Sequence, residues 1–302
     1  MKLVVVGGGG GVGSSVAFNV LLGARAAEVV LVDSCAPQVE SHAMDMGQVL
    51  EQSPGCSLRV GSESDLVDAD VVVVTAGVPL AVNRSRLVYL EANAQILDGI
   101  ADALTPDWPG VAILVTNPVD PLVTRFQART GIDRHRVLGY TLNDSLRLRT
   151  GIARTLGLAP GAVAAWVLGE HGETGVPIWS RVEVDGEART LNDAERAVAE
   201  EYLRTWYVRH VALDSGRTST WTTGLGVARM VEAIRAGTND VWPASLVLDG
   251  EYDLADIAVT VPIRLGAEGA TTVLEWPLEA GERKALNASA ATVRLAVETV
   301  SA

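Results

Sequence analysis

Residues 3–13 of this 302-residue chain read LVVVGGGGGVG, an apolar, β-branched run that passes directly into five consecutive glycines. Gly8, Gly10 and Gly13 give the spacing G-x-G-x-x-G between a predicted strand and a predicted helix. Because glycines have no side chains, the backbone N–H groups at the start of that helix can approach a pyrophosphate, whose charge the helix dipole favours. The segment predicts the first βαβ unit of a dinucleotide-binding fold, although a glycine-rich turn without a ligand gives the same pattern.

An acidic residue stands at the end of the second predicted strand. Asp33 lies 20 residues after Gly13, about the distance at which dinucleotide-binding folds place a ribose-binding acid. Its carboxylate can accept hydrogen bonds from ribose hydroxyls and would repel a 2′-phosphate, which favours NAD over NADP. The alternative is an aspartate that only terminates the strand in a turn.

The first half of the chain alternates short apolar runs with helix-like segments, the pattern of parallel βαβ units covered by helices on both faces. Strands are predicted over residues 3–6, 29–32, 70–75 and 111–116. Small and polar residues follow these runs, including Thr75-Ala76-Gly77 and Asn117-Pro118. In such a sheet, ligands bind beyond the carboxyl ends of the strands, where these residues would lie.

The pattern changes from about Gly139 to longer helices mixed with alternating stretches at residues 178–184 and 257–263. The chain closes with a predicted amphipathic helix over residues 279–300. We therefore expect an α/β protein with two domains. A Rossmann-type doubly wound parallel sheet would bind NAD over residues 1–140, and an α+β catalytic or substrate domain would follow over 141–302.

Composition excludes several classes of protein. The formal net charge of −13 argues against a nucleic-acid partner, and no apolar run approaches the roughly 20 residues of a membrane span. Cys35 and Cys56 are the only cysteines and lack C-x-x-C spacing, so neither a disulfide framework nor a metal site is indicated. Glycines follow residues 3–6 where the apolar region of a signal peptide would continue, so we expect a cytoplasmic protein.

One of four histidines, His171, lies in the glycine-containing segment GEHGETG at residues 169–175. These glycines disfavour a regular helix or strand there and expose the imidazole. Oxidation of a 2-hydroxy acid needs a base that takes the hydroxyl proton while hydride leaves C2, and histidine titrates near neutral pH. An exposed histidine without a role is the alternative.

Asp144 and Arg147 are three residues apart, so on a helix they point to the same side. A carboxylate near His171 would orient the imidazole, and a guanidinium can bind a substrate carboxylate through two parallel hydrogen bonds. An ordinary helical ion pair is the alternative.

Four segments together resemble the L-lactate/malate dehydrogenase family over essentially the full length of the chain. They are GEHGETGVPIWS at 169–180, TNPVD at 116–120, DSLRLR at 144–149 and TAGVP at 75–79. The resemblance implies an NAD-dependent enzyme acting on a small 2-oxo or 2-hydroxy acid. It makes His171 the acid/base, Asp144 its orienting carboxylate and Arg147 the group that binds the substrate carboxylate.

The same resemblance implies further site residues and an assembly. Arg86 would polarise the substrate carbonyl, and Asn117 would position substrate and nicotinamide. Homodimers or homotetramers are the implied assemblies. The implied cofactor contacts, with the glycines and Asp33, are Val12, Thr75, Ala76, Gly77, Asn93 and Asn117.

The chain departs from the family pattern in the segment after TAGVP. Leu80 stands where malate enzymes carry arginine and lactate enzymes glutamine, so it cannot bind a second carboxylate. Ser219 and Thr223, which are small and polar, align with the pocket for the substrate side chain. Together with Leu80, they predict a substrate whose side chain is apolar or larger. Arg84 could replace the missing guanidinium, which leaves a malate dehydrogenase as one alternative. A catalytically silent nucleotide-binding homologue is another.

Overall fold

The structure is a computed structural model that describes residues 1–78 and 86–301, with side chains described in 1–78 and 89–300. The predictions for Leu80 and Arg84 lie outside the described residues. Arg86 is the first residue of a helix, and its side chain is also outside the described part.

The first half forms a parallel sheet with helical crossovers. Its strands are β1 (Lys2–Val6), β2 (Glu28–Val32), β3 (Ser57–Val60), β4 (Val71–Val74), β5 (Val111–Leu114) and β6 (Val137–Tyr140). Its helices are α1 (Gly11–Leu22), α2 (Ala36–Met46), α3 (Arg86–Ala101), α4 (Val119–Thr130) and α5 (Leu142–Leu156). The spatial order β3-β2-β1-β4-β5-β6 is that of a doubly wound dinucleotide-binding sheet, as predicted.

The second half extends that sheet and adds smaller ones. Its strands are β7 (Val163–Ala164), β8 (Val167–Leu168), β9 (Val176–Pro177), β10 (Glu183–Val184), β11 (Glu187–Ala188), β12 (Asp240–Asp249), β13 (Ala255–Gly266) and β14 (Gly269–Val273). Its helices are α6 (Asp193–Val211), α7 (Thr220–Ala236) and α8 (Ala280–Ser301). Strand β12 pairs antiparallel with β6, and β13 and β14 continue outward, which gives a sheet of nine strands within the described residues. The fold class is α/β with a second domain, as expected.

The continuous apolar strands are buried on both faces. In β4, Val71 and Val73 pack with the helices α1 and α7, whereas Val72 and Val74 pack on the opposite face with α3 and α4. Burying a valine side chain stabilises a fold by roughly 1.5–3 kcal/mol relative to leaving it exposed. This two-sided core fixes the sheet, whose carboxyl edge carries the candidate site.

The alternating stretch over residues 178–184 forms a strand only at its end. Residues Trp179–Arg181 form a short 3-10 turn, and only Glu183–Val184 pair as a strand. Ser180 explains the difference, because its backbone N–H and hydroxyl both donate to the carboxylate of Glu282, at 2.9 and 2.7 Å. The predicted stretch 257–263 lies inside β13, and the final helix is shifted by one residue at each end.

In the part of the chain that the structure describes, none of the helices combines the length and apolar character that crossing a membrane requires.

Candidate active site

The glycine loop packs tightly against the segment that follows β4. Gly7 has a φ of +89°, and a Cβ placed there would lie 2.6 Å from the backbone nitrogen of Ala76. A Cβ on Gly13 would lie 2.2 Å from the carbonyl oxygen of Gly7. The hydroxyl of Thr75 donates to the carbonyl of Val6 at 3.0 Å and joins the two segments. Only glycine fits at Gly7 and Gly13, so the loop leaves the start of α1 uncovered.

The start of α1 suits an anionic group. Gly10 precedes the helix, and the first turn carries no acidic side chain. Its backbone N–H groups and the positive end of the helix dipole would meet a pyrophosphate without an opposing charge. Gly8 and Val12, also predicted as cofactor contacts, belong to this same loop and first turn.

Asp33 is fixed beside the loop at the end of β2. Its two carboxylate oxygens accept the backbone N–H groups of Gly9 and Cys35, both at 2.8 Å. A carboxylate has about four acceptor positions, so capacity remains for ribose hydroxyls. Sequence reasoning placed Asp33 at this site but did not foresee its bond to Gly9, which comes from the folding of the loop toward β2.

Asn93 links two segments of the predicted cofactor site. Its Oδ1 accepts the backbone N–H of Val78 at 2.8 Å, and its Nδ2 donates to the carbonyl of Asn117 at 2.7 Å. A Cβ on Gly77 would lie 3.1 Å from that Oδ1. The buried amide therefore holds together the segments after β4 and β5, while the side chain of Asn117 is exposed at the sheet edge.

The three predicted catalytic and substrate-binding groups of the second half converge on one carboxylate. Asp144 Oδ2 lies 2.6 Å from His171 Nδ1, and Asp144 Oδ1 accepts a hydrogen bond from Arg147 Nη1 at 2.8 Å. The three side chains are only 11–14% exposed. One buried carboxylate thus contacts both the imidazole and the guanidinium.

Burial and charge act in opposite directions on this cluster. Burial alone would raise the pKa of Asp144, but the charge and hydrogen bond of His171, together with Arg147, lower it below its usual range. Burial opposes the charged form of His171, but Asp144, with a smaller contribution from Asp120, raises the pKa of the imidazole. The pair therefore favours imidazolium beside carboxylate, the state that can donate a proton.

Three consecutive backbone N–H groups fix the loop that carries His171. Gly169 donates to the carbonyl of Thr260 at 2.9 Å, and Glu170 donates to the hydroxyl of Ser289 at 2.8 Å. His171 itself donates to Asp120 Oδ2 at 2.6 Å. Three different elements, β13, α8 and α4, therefore position this irregular segment. Sequence reasoning did not single out Asp120, although it ends the segment TNPVD that carried the resemblance.

Arg147 also borders a groove between the helices α5, α6 and α7. Its guanidinium carbon lies 4.1 Å from the ring centroid of Trp206 on α6, a stacked cation–π contact. The groove has a volume of about 430 Å³, and Ser219 lies on its wall with Trp206. Thr223, the other predicted pocket residue, is buried and accepts a hydrogen bond from Asn143 at 2.8 Å. Trp206 could not be identified from the sequence, because the sequence of α6 does not indicate which face of the helix contacts Arg147.

Two family models cover the chain. Residues 1–139 match the lactate/malate dehydrogenase NAD binding domain, and residues 141–302 match the lactate/malate dehydrogenase alpha/beta C-terminal domain.

Similar proteins include both malate dehydrogenases and L-lactate dehydrogenases. The chain is 35% identical to a malate dehydrogenase of Halobacterium salinarum, with 96% of each chain covered. It is 30% identical to an L-lactate dehydrogenase of Mycoplasma mycoides, covering 98% of this chain and 96% of the relative. Among solved structures, a minor L-lactate dehydrogenase from Enterococcus mundtii superposes with a TM-score of 0.91 at 27% identity, covering 99% and 98% of the two chains. The relatives support a common chemistry and leave the choice between lactate-like and malate substrates to the residues themselves.

Proposed function

The chain belongs to the lactate/malate dehydrogenase family, and from this premise we propose that it acts on a 2-oxo acid whose side chain is apolar or larger than a methyl group. Family membership, which confirms the resemblance seen in the sequence, makes the chain an NAD-dependent oxidoreductase acting on 2-hydroxy acids. The observation that supports the residue roles is the contact of one buried carboxylate, Asp144, with both His171 and Arg147.

The roles follow from this geometry. When bound, NADH would supply the hydride for C2 of the substrate. His171 directs Nδ1 to Asp144, so Nε2 is the nitrogen that would give a proton to the carbonyl oxygen in reduction and take it back in oxidation. Asp144 holds the ring in this tautomer and stabilises the imidazolium. Arg147 presents its remaining N–H groups to the substrate carboxylate. Arg86 is proposed, on the resemblance alone, to polarise the carbonyl.

The cofactor roles rest on the fit of the loop. The glycine loop, whose Gly7 and Gly13 leave no room for a Cβ, would hold the pyrophosphate at the start of α1, and Asp33 would hold the ribose. Thr75, Gly77 and Asn117 would border the nicotinamide at the ends of β4 and β5. Asn93 would shape that border through its two hydrogen bonds.

The substrate side chain is the least constrained part of the proposal. The resemblance assigns position 80 to the substrate side chain, and leucine has no group that can bind a second carboxylate. Burying an unpaired carboxylate costs several kcal/mol. Ser219 on the groove wall supports a larger substituent, whereas Thr223 lies behind that wall, buried and bonded to Asn143. The second candidate is a malate dehydrogenase in which Arg84 supplies the second guanidinium, and the 35% identity to a named malate dehydrogenase favours it.

A panel of 2-oxo acids assayed with NADH distinguishes these candidates. We expect kcat/KM to be higher for pyruvate, 2-oxoisocaproate or phenylpyruvate than for oxaloacetate. A preference for oxaloacetate of about a hundredfold or more would reject the apolar side chain, since a pocket without a partner for the second carboxylate would disfavour that substrate. NADH binding without turnover of any member would instead indicate a catalytically silent homologue.

The role of the histidine is tested by His171→Asn. We expect kcat to fall by about a hundredfold or more while NADH still binds, because general acid–base catalysis contributes at least that factor. His135→Asn is the matched control, since His135 lies beside Asp133 on the surface, away from the site. Equal turnover by His171→Asn and the unmodified enzyme would remove the imidazole from the reaction.

Three further proposals concern the context of the enzyme. Division into an NAD-binding domain over 1–140 and a substrate domain over 141–302 is supported by the family models, which meet between residues 139 and 141. The free thiols of Cys35 and Cys56 suit a reducing, cytoplasmic location. Exposed apolar side chains on the adjacent helices α1 and α7, such as Phe18 and Trp221, support a homodimer or homotetramer, which sedimentation equilibrium would test.

A further inference from the structure

Asp120 contacts the catalytic loop from behind and plays no part in the mechanism derived above. It is the second residue of α4, and its side chain is buried, with 1% of the residue exposed. Its Oδ2 accepts the backbone N–H of His171 at 2.6 Å. This bond ties the main chain of the acid/base residue directly to the start of a helix that packs on the sheet.

The anchoring alone does not explain why the residue is a carboxylic acid. Among the described residues, neither Asp120 Oδ1 nor the buried hydroxyl of Ser245 has a hydrogen bond of ordinary geometry. A buried carboxylate with acceptors left unsatisfied is costly. A neutral amide at the same position could accept the N–H of His171 without placing a charge in the interior. The first turn of α4 favours a negative charge at this position, and the charge of the imidazole of His171 also favours the ionised form of Asp120.

The ionisation of Asp120 depends on its surroundings. Burial raises the pKa of the Asp120 carboxyl to about 6. Two groups that favour the charged form oppose this rise: the nearby hydroxyl of Ser245 and the backbone N–H of His171. The charge of Glu170 adds to the rise. Asp120 is therefore mostly ionised at neutral pH.

The charges that face the imidazole come from two helices. From α5, Asp144 raises the pKa of His171 and Arg147 lowers it, and from α4, Asp120 raises it. Burial opposes all of the raising contributions. Asp120 is thus the second of two carboxylates that favour the imidazolium, and it acts without touching the ring.

We propose that Asp120 is a positioning residue for His171, which holds its main chain in place and supplies the second negative charge that keeps the imidazole protonated for reduction. This inference rests on the proposed role of His171 as the acid/base residue.

The test is the pH profile of Asp120→Asn in the full-length enzyme, with phenylpyruvate or whichever member of the panel the unmodified enzyme reduces best. The amide oxygen can still accept the N–H of His171, but the charge is gone, so the pKa of the imidazole falls. Reduction needs the protonated ring, and its kcat/KM should decline at a pH about one unit lower than in the unmodified enzyme. Oxidation needs the neutral ring, and its acid limb should move in the same direction.

A purely structural role predicts a different result. Loss of packing or of anchoring would lower kcat/KM at every pH and leave the midpoint in place, so an unshifted midpoint overturns the inference. NADH binding, followed by its fluorescence, shows whether the variant is folded.

If Asp120→Asn does not bind NADH, Ser245→Ala decides the question. Removing the hydroxyl disfavours the ionised form of Asp120 and should shift the midpoint by less, in the same direction. Ser53→Ala is its matched control, because that hydroxyl is also buried and has no hydrogen-bond partner among the described residues, but it follows the short helix Gly47–Gln52 in the first half of the chain. Equal midpoints in Ser245→Ala and Ser53→Ala would overturn the inference. An unmodified enzyme that reduces none of the 2-oxo acids would instead overturn the proposed function, and the inference with it.

Discussion

Replacing Asp144 by asparagine removes one negative charge that two cationic groups share. The carboxylate lies 2.6 Å from His171 Nδ1 and 2.8 Å from Arg147 Nη1, and only 11% of its side chain is exposed. The amide has a single oxygen, so it can accept from one partner and must turn its NH2 group toward the other. A buried hydrogen bond to a charged group contributes about 1.5–3 kcal/mol. Losing one of the two bonds in the transition state therefore lowers kcat/KM by roughly 10- to 150-fold.

The effect should depend on pH and on the direction of the reaction. Burial disfavours the charged imidazole, and the charge of Asp144 is the main contribution that raises the pKa of His171. Without that charge the pKa falls, so the proton-donating form persists only to a lower pH. Reduction of the 2-oxo acid should therefore decline at a lower pH in Asp144→Asn. Oxidation, which uses the neutral imidazole, should lose less activity near neutral pH.

The assay is kcat/KM in both directions between pH 5 and pH 9, with NADH binding as the check on folding. Asp133→Asn is the matched control, because it removes a carboxylate 2.9 Å from His135 Nδ1 on the surface, where 62% of the aspartate side chain is exposed. We expect the control to behave as the unmodified enzyme does. If Asp144→Asn keeps more than half of the activity in reduction and an unmoved pH profile, the carboxylate does not support the histidine and our assignment fails.

Two further predictions concern the cofactor site. Gly13→Ala should weaken NADH binding more than tenfold or prevent folding, because its Cβ would lie 2.2 Å from the carbonyl oxygen of Gly7. The matched change Gly11→Ala meets its nearest atom, on Thr220, at 3.6 Å and should bind NADH normally, with a melting temperature that is unchanged or raised. Asp33→Ser should raise the ratio of kcat/KM for NADPH over NADH by about tenfold, because the charge that repels a 2′-phosphate is lost. Equal use of both cofactors by the unmodified enzyme would contradict the role of Asp33.

The parallel part of the fold is largely readable from the sequence because each of its strands is buried on both faces. Such strands appear as uninterrupted apolar runs, as in residues 71–74, and the glycines after β1 mark the one crossover that must approach a ligand closely. The short edge strand β3 has no such signal, since its side chains in Ser57–Val60 are all exposed or half-buried. Sequence reasoning predicted no strand there.

The candidate site also contains residues that the sequence identifies and residues that it does not. His171 was identified from a short glycine-containing motif, and Asp144 and Arg147 from their spacing on a predicted helix. Asp120 and Trp206 were not, because their importance depends on which face of α4 meets the loop of His171 and which face of α6 meets Arg147. Those contacts are tertiary, and they join residues 51 and 59 positions apart in the chain.

The charges of the proposed site favour a further cation beyond the described cluster. With the imidazole protonated, Arg147 and His171 contribute two positive charges, and Asp144 and Asp120 contribute two negative ones, so the cluster is neutral. A 2-oxo acid would bring an uncompensated negative charge into a largely buried site of a protein whose net charge is −13, which is unfavourable without a further cation. Arg147 can orient the substrate carboxylate because its guanidinium is planar, stacked on an aromatic ring and has several N–H groups, but its charge is already shared with Asp144. The balance therefore supports the role assigned to Arg86, the first residue of α3, as the cation that compensates the substrate.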